Sequence, residues 1–140
     1  MPDQRPFFIV ACARSGTTLL RTILNRHPDV VVTPESHFIT ELWQRRRRYG
    51  PRGRVVQLHR FVDDLQASRR YRLWDLPADL LHEEVGRLEG PAPSFADVVT
   101  APFRAYARWK GKPRWGDKTP AYVEHIPLLA SLFPDARFVH

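Results

Sequence analysis

The stretch FFIVACARSGTTLL at residues 7–20 constrains this chain more than any other. An apolar run from Phe7 to Cys12 gives way to Ala13-Arg14-Ser15-Gly16. Thr17-Thr18 then open a segment with Leu19, Leu20, Ile23 and Leu24 at helical spacing. The short apolar run reads as a buried strand with Cys12 inside it, and the periodic segment as a helix with those four residues on one face. A strand that feeds a helix through a tight turn aims several backbone N–H groups at one point, at the positive end of the helix dipole. Gly16 allows close backbone approach to an oxyanion, Ser15, Thr17 and Thr18 offer hydroxyl donors, and Arg14 brings a permanent, fork-shaped charge. The unit suits a phosphate group. Taken alone, Ser-Gly-Thr-Thr would also serve as an ordinary βα turn with polar caps.

The loop departs from that of nucleoside triphosphatases. Aligned on G-x-x-x-x-G-K-[ST], the first glycine is Ala11 and the lysine is Thr17. A metal-dependent P-loop kinase or NTPase would then lack its main phosphate cation. No metal-binding aspartate is evident after an apolar strand, so that reading is the less favoured one.

Arg14 to Leu20, followed by His27-Pro28, resembles the 5′-phosphosulfate loop of the sulfotransferases that use 3′-phosphoadenosine 5′-phosphosulfate (PAPS). The similarity is closest to the bacterial and tyrosylprotein branch, which carries arginine in this loop. Thr33-Pro34-Glu35-Ser36-His37-Phe38 and Trp115-Gly116-Asp117-Lys118-Thr119-Pro120 agree with the same branch. The resemblance implies an α/β fold, a P-loop-like parallel sheet flanked by helices. It implies PAPS as sulfate donor, bound through Arg14, Ser15, Gly16, Thr17 and Thr18, with no metal. The acceptor would be a hydroxyl or amine on a small molecule, carbohydrate or peptide. The family's 3′-phosphate residues would fall beyond His140. Residues 1–140 therefore read as the N-terminal portion of a single sulfotransferase domain, incomplete at the C-terminus, and a catalytically inactive remnant is the alternative.

The net charge of +7 is carried almost wholly by arginine. Such a balance suits a polyanionic nucleotide and would equally suit nucleic acid. Arg45-Arg46-Arg47-Arg48 follows Phe38, Leu42 and Trp43 on an apparent helix, however, and reads as a solvated helix end. No groove-reading motif accompanies it, and nucleic acid is not expected. A single cysteine excludes a disulfide framework and a cysteine metal cluster. Met1 to Pro6 has no apolar signal core, and no apolar run reaches membrane-spanning length. A cytoplasmic location is the expectation.

Along the chain, Asp29–Thr33 reads as a second strand buried on both faces. Thr33 is placed as the cap of a helix with Pro34 at its first position, running toward Arg47. Residues 54–70 and 77–89 carry helical patterns. A further helix opens at Ser94, with Phe95, Val98, Val99, Phe103, Tyr106 and Trp109 inward. Arg114-Trp115-Gly116 reads as a brief strand, Ala121 to Phe133 as short helices, and the last residues as a strand. Strands alternating with helices imply a parallel sheet with ligands at the carboxyl ends of its strands. The helices over about 54–110 form an insertion. The resemblance makes it the wall of an acceptor pocket, and a helical cap completing the core is equally compatible.

Sulfuryl transfer needs a deprotonated acceptor and a neutralised leaving phosphate, held in line across sulfur. The resemblance assigns Glu35 as general base, Lys118 as the cation on the leaving group, and Arg14 as the loop charge. On the residues alone, Thr33-Pro34-Glu35 is also a good helix start with Glu35 favoured by the dipole, and Lys118 reads equally as an exposed turn lysine. Asp117 could orient Lys118 or Arg14, which the sequence does not test. His27 reads as a helix terminus, and His37 as a residue lining the acceptor pocket.

Overall fold

The computed structural model describes residues 4–12 and 14–140; residues 1–3, and Ala13 of the loop, lie outside the described residues. The chain forms two compact units. One runs to Ser36 and resumes at Tyr106–His140, and the other is His37–Ala105.

The first unit holds the strands β1 (Phe7–Ile9), β2 (Val30–Thr33), β3 (Arg114–Lys118) and β4 (Arg137–Val139). They form one parallel sheet in the order β2-β3-β1-β4. Helix α1 (Thr17–Leu24) lies on one face, with Leu20 and Leu24 packed on the buried cluster of Phe7, Ile9 and Val32. Pleating turns Phe8 to the opposite face. There it meets Trp115, Phe133 and Phe138 at ring-centroid distances of 6.0, 5.4 and 5.7 Å. The expected α/β parallel sheet flanked by helices is the observed architecture.

Two parts of the expected apolar pattern need correction. Leu19 and Ile23 are 66% and 56% exposed, although they were placed on the same face as Leu20 and Leu24. Neighbours on a helix point about 100° apart, so one i, i+4 row can lie on the sheet while the adjacent row faces outward. Cys12 is exposed rather than buried, because β1 ends at Ile9 and Cys12 already belongs to the turn.

Strand β2 is an edge strand, and α1 holds it through side chains. Asn25 accepts from the Val32 N–H at 2.7 Å and donates to the Val32 carbonyl at 3.3 Å, imitating a neighbouring strand. Arg21 Nε donates to the carbonyls of Val32 and Thr33 at 3.0 and 3.2 Å. These bonds satisfy backbone groups of β2 at buried residues.

At Gly116 of β3, an added methyl group would lie 2.3 Å from the ring of Phe7. That ring is buried in the core, so overpacking should cost about 2 kcal/mol. Gly116→Ala is expected to lower the melting temperature by roughly 5–10 °C in a calorimetric scan. An unchanged transition would show that the ring has room to move.

The second unit is helical: α2 (Phe38–Gln44), α3 (Leu58–Ala67), α4 (Arg69–Arg72), α5 (Ala78–Gly86) and the start of α6 (Phe95–Trp109), which continues into the first unit from Tyr106. Its core is aromatic. Phe38 contacts Tyr71, Trp74 and Phe103, and Phe61 contacts Tyr49 and Phe95. Ser94 caps α6 by accepting from the Asp97 N–H. Among the arginines at 45–48, Arg46 stacks on Trp43 at 4.4 Å and Arg48 pairs with Asp64 at 3.3 Å, while Arg45 and Arg47 are exposed. In the first unit, Trp109 is 38% exposed under the Lys110 ammonium rather than turned inward. The last helix, α7 (Ile126–Leu132), follows a 3₁₀ segment at Pro120–His125 and leads into β4.

The expected helix start at Thr33-Pro34 is not formed. Thr33 is the last residue of β2, residues 34–37 are loop, and α2 begins at Phe38 after His37 in the left-handed region. The hydroxyl that would have capped a helix is directed to Asp117 instead. Among the described residues, no helix is long and apolar enough to cross a membrane.

Candidate active site

Strand β1 runs out between β3 and β4, so its carboxyl end opens in the middle of the sheet, beside the ends of its neighbours. The loop that follows carries two left-handed residues, Arg14 at φ 62° and Gly16 at φ 83°. Left-handed backbone in such a turn is a feature of anion-binding nests, and for a non-glycine residue it is strained. A methyl group built on Gly16 meets nothing within 4 Å, so the space above the loop is open. The first intrahelical bond of α1 runs from the Leu20 N–H to the Gly16 carbonyl. Among the described residues no side chain caps this terminus, and no acidic residue lies in its first turn. Its leading N–H groups therefore present partial positive charge to solvent. Arg14, Ser15 and Thr18 are exposed. Ser15 donates to the Cys12 carbonyl at 2.7 Å, which closes the turn. An open cavity of about 430 Å³ adjoins the loop, lined in part by Val10, Ala11, Ser15, Gly16, Thr17 and Val139.

Lys118 ends β3 with its residue 8% exposed. It lies in register with Ile9 and faces α1: its Nζ is 3.5 Å from Thr18 Oγ1. The same ammonium is 3.3 Å from Glu35 Oε1. Glu35 sits in the loop after β2, its side chain 27% exposed. The fold therefore brings Glu35, Lys118 and Thr18 into one hydrogen-bonded group at the start of α1. Since Glu35 precedes α2 by several residues, its alternative reading as a helix-start acid is removed. Lys118 is likewise not an exposed turn lysine. His27 closes the turn after α1, its Nδ1 accepting from the Asp29 N–H, and His37 precedes α2 in the second unit.

Asp117 departs from expectation. It points to the face opposite Lys118 and is fully buried, accepting at Oδ1 from Thr119 at 3.1 Å and Thr33 at 3.5 Å. Its other oxygen is buried without a partner. It orients neither Lys118 nor Arg14 by direct contact. Burial raises its carboxyl to about 7; the hydroxyls of Thr119, Ser36 and Thr33 pull it down, and the Glu35 charge pushes it up. Sequence reasoning missed the rest of this buried group, Ser36, Thr119 and Tyr122. Ser and Thr are common in turns and a Tyr reads as core, and only the pairing of two distant strands brings them together.

The shift has a consequence for stability. Between the ordinary carboxylate range and about 7 the native state holds a proton that the unfolded chain has released. Stability contributed by the wild-type residue is therefore greatest below about pH 4 and falls as pH rises toward 7. Asp117→Asn, which cannot ionise, should lack this decline. The stability difference between variant and wild type is expected to grow by a few kcal/mol in the variant's favour from about pH 4 to about pH 7. Urea denaturation at several pH values measures it, and parallel curves would exclude a buried, protonated Asp117.

The parallel sheet thus has a left-handed glycine turn after a central strand and a carboxylate–ammonium pair beside that turn, an arrangement suited to an anionic group. A profile of the sulfotransferase family matches residues 6–140, and the chain belongs to that family. It is similar to the nodulation protein NoeE of Sinorhizobium fredii (strain NBRC 101917 / NGR234), with 31% identity over 135 residues, covering 92% of this chain and 26% of that protein. An uncharacterized protein of Aquifex aeolicus (strain VF5) is 26% identical over 140 residues, covering 99% of this chain and 15% of that protein. The chain thus spans about a quarter or less of the length of these relatives.

Proposed function

We propose that this chain binds PAPS and takes part in moving its sulfuryl group to a hydroxyl or amine on a small-molecule, carbohydrate or peptide acceptor. The observation that carries the reading is the Glu35–Lys118–Thr18 group beside the glycine turn. The donor set fits an anionic donor: an uncapped helix start, Gly16 with open space above it, and the exposed Arg14. Arg14, Ser15, Gly16, Thr17 and Thr18 would hold the 5′-phosphosulfate end, and PAPS supplies the sulfuryl group. Glu35 takes the proton from the acceptor as its oxygen or nitrogen bonds to sulfur. Lys118 and the helix N-terminus balance the charge that stays on the departing phosphate oxygen.

The test is transfer of label from ³⁵S-PAPS to a panel of phenolic, carbohydrate, amine and peptide acceptors, using protein that contains this chain. Transfer to one acceptor class is the expected result. Calorimetric binding of PAPS with no transfer to any class would reduce the reading to nucleotide binding.

A further inference from the structure

We propose that Asp117 is a positioning residue, whose buried carboxyl ties the segments flanking Glu35 and Lys118 into one block and so fixes the geometry of that pair. The inference rests on the sulfuryl-transfer roles given above to Glu35 and Lys118. Thr33 and Ser36 bracket Glu35 in sequence, and Asp117 and Thr119 bracket Lys118. All four bracketing residues are fully buried and bonded to one another. Thr33 and Thr119 donate to Asp117 Oδ1, and the Ser36 N–H donates to Thr119 Oγ1 at 2.9 Å. Ser36 Oγ lies 3.4 Å from Thr119 Oγ1 and 2.9 Å from the Tyr122 hydroxyl.

Each hydroxyl has one proton to give. Thr119 and Thr33 give theirs to Asp117, the Ser36 hydroxyl acts on the same carboxyl, and Tyr122 bonds to Ser36. The group of bonds converges on the Asp117 carboxyl. Thr33 and Asp117 are also register partners in the parallel pairing of β2 and β3, so backbone and side chains hold the same two strand ends. The pleat places Asp117 on one face and Lys118 on the other. The carboxyl therefore fixes the strand end from behind while the ammonium works in front.

The block needs an acceptor at Oδ1 and not a negative charge. Glu35 is the charged neighbour that acts on Asp117, Phe8 is its register partner on β1, and Thr33 is its register partner on β2. Ionising Asp117 would bring a second carboxylate close to Glu35, and burial opposes it. Asparagine reproduces the neutral acid: an acceptor at one atom and a donor where the partnerless oxygen lies. Leucine keeps the volume and removes the acceptor.

Donor-dependent transfer by the three proteins decides the matter. Asp117→Asn should keep kcat within about threefold of wild type, since the conservative change preserves every bond. Asp117→Leu should lower kcat about a hundredfold with KM for PAPS changed less than about threefold, the mark of misplaced reacting groups and not of lost binding. Thr119→Val cuts the same group of bonds one link away and should lower kcat about tenfold. It decides the question if the leucine variant does not fold. Wild-type kcat in Asp117→Leu or in Thr119→Val overturns the proposal, as does an asparagine variant as impaired as the leucine one.

A second readout needs no turnover, and so separates this proposal from the sulfuryl-transfer reading. In protein labelled with ¹³C at the side-chain carboxyls, the Glu35 signal should inflect near the Asp117 titration at about 7, and should lose that inflection in Asp117→Asn. A Glu35 signal indifferent to the substitution overturns the coupling, whether or not transfer is observed.

Discussion

Glu35→Gln is expected to lower turnover about a hundredfold or more while leaving nucleotide affinity near that of the wild type. Glutamine preserves the size of the side chain, and its carbonyl oxygen can still accept from the Lys118 ammonium, now 3.3 Å from the carboxylate. The loop that carries residue 35 is held through Ser36 and Thr33, which the substitution does not touch. What disappears is the capacity to take a proton at neutral pH. The anion turn and the start of α1 contain no part of Glu35, so binding of adenosine 3′,5′-bisphosphate in a calorimeter should be almost unaffected. A variant that loses nucleotide affinity yet turns over normally at saturating donor would make Glu35 a structural residue.

Arg14→Ala should abolish measurable transfer. Arg14 is exposed in a turn that has no acidic residue to satisfy it, and its backbone is left-handed, a conformation that costs about 1 kcal/mol or more for a non-glycine residue. A bidentate guanidinium contact to the sulfate or phosphate oxygens would repay that strain. Losing one such charge-assisted donor to a reacting anion typically costs a factor of about 10²–10³. Arg14→Lys should recover only part of the activity, because an ammonium cannot make the planar fork. Steady-state rates with labelled PAPS measure both variants, and near-normal turnover in Arg14→Ala would reject the assignment of this loop to the donor.

The turn and its helix were legible because their signals are local: a glycine, three hydroxyl residues and an apolar run within fourteen residues. The alternation of strands and helices likewise gave the parallel sheet. The pairing of Glu35 with Lys118 is a different matter. These residues are 83 positions apart, and nothing in either segment by itself points to the other. Similarity to known sulfotransferases indicated their importance, while the register of Thr33 against Asp117 is what brings them together.

The misread helix start has the same origin. Thr33-Pro34 carries a genuine capping signal, but Thr33 is claimed by a strand and by a carboxyl from a distant segment. The Ser36 N–H, which the Thr33 hydroxyl would have accepted as a cap, is bonded to Thr119. Tertiary pairing overrode local preference. Cys12 and the Leu19–Ile23 row were misplaced because periodicity gives the spacing of apolar residues but not which row meets the sheet.

The central strand has its nearest neighbours far away in sequence. Phe7 pairs with Gly116 on one side and Arg137 on the other, so closing either ladder brings together segments separated by more than a hundred residues. The entropy of such a closure grows only slowly with length, yet it must be met before any strand contact rewards it. The helices over 37–105 make their backbone hydrogen bonds locally and can form while the chain is still being synthesised. β1, by contrast, leaves the ribosome long before a partner exists and must wait for it. During synthesis the most apolar segment of the chain is therefore an unpaired strand. In cells, the yield of protein containing this chain should depend on chaperones that bind nascent apolar segments.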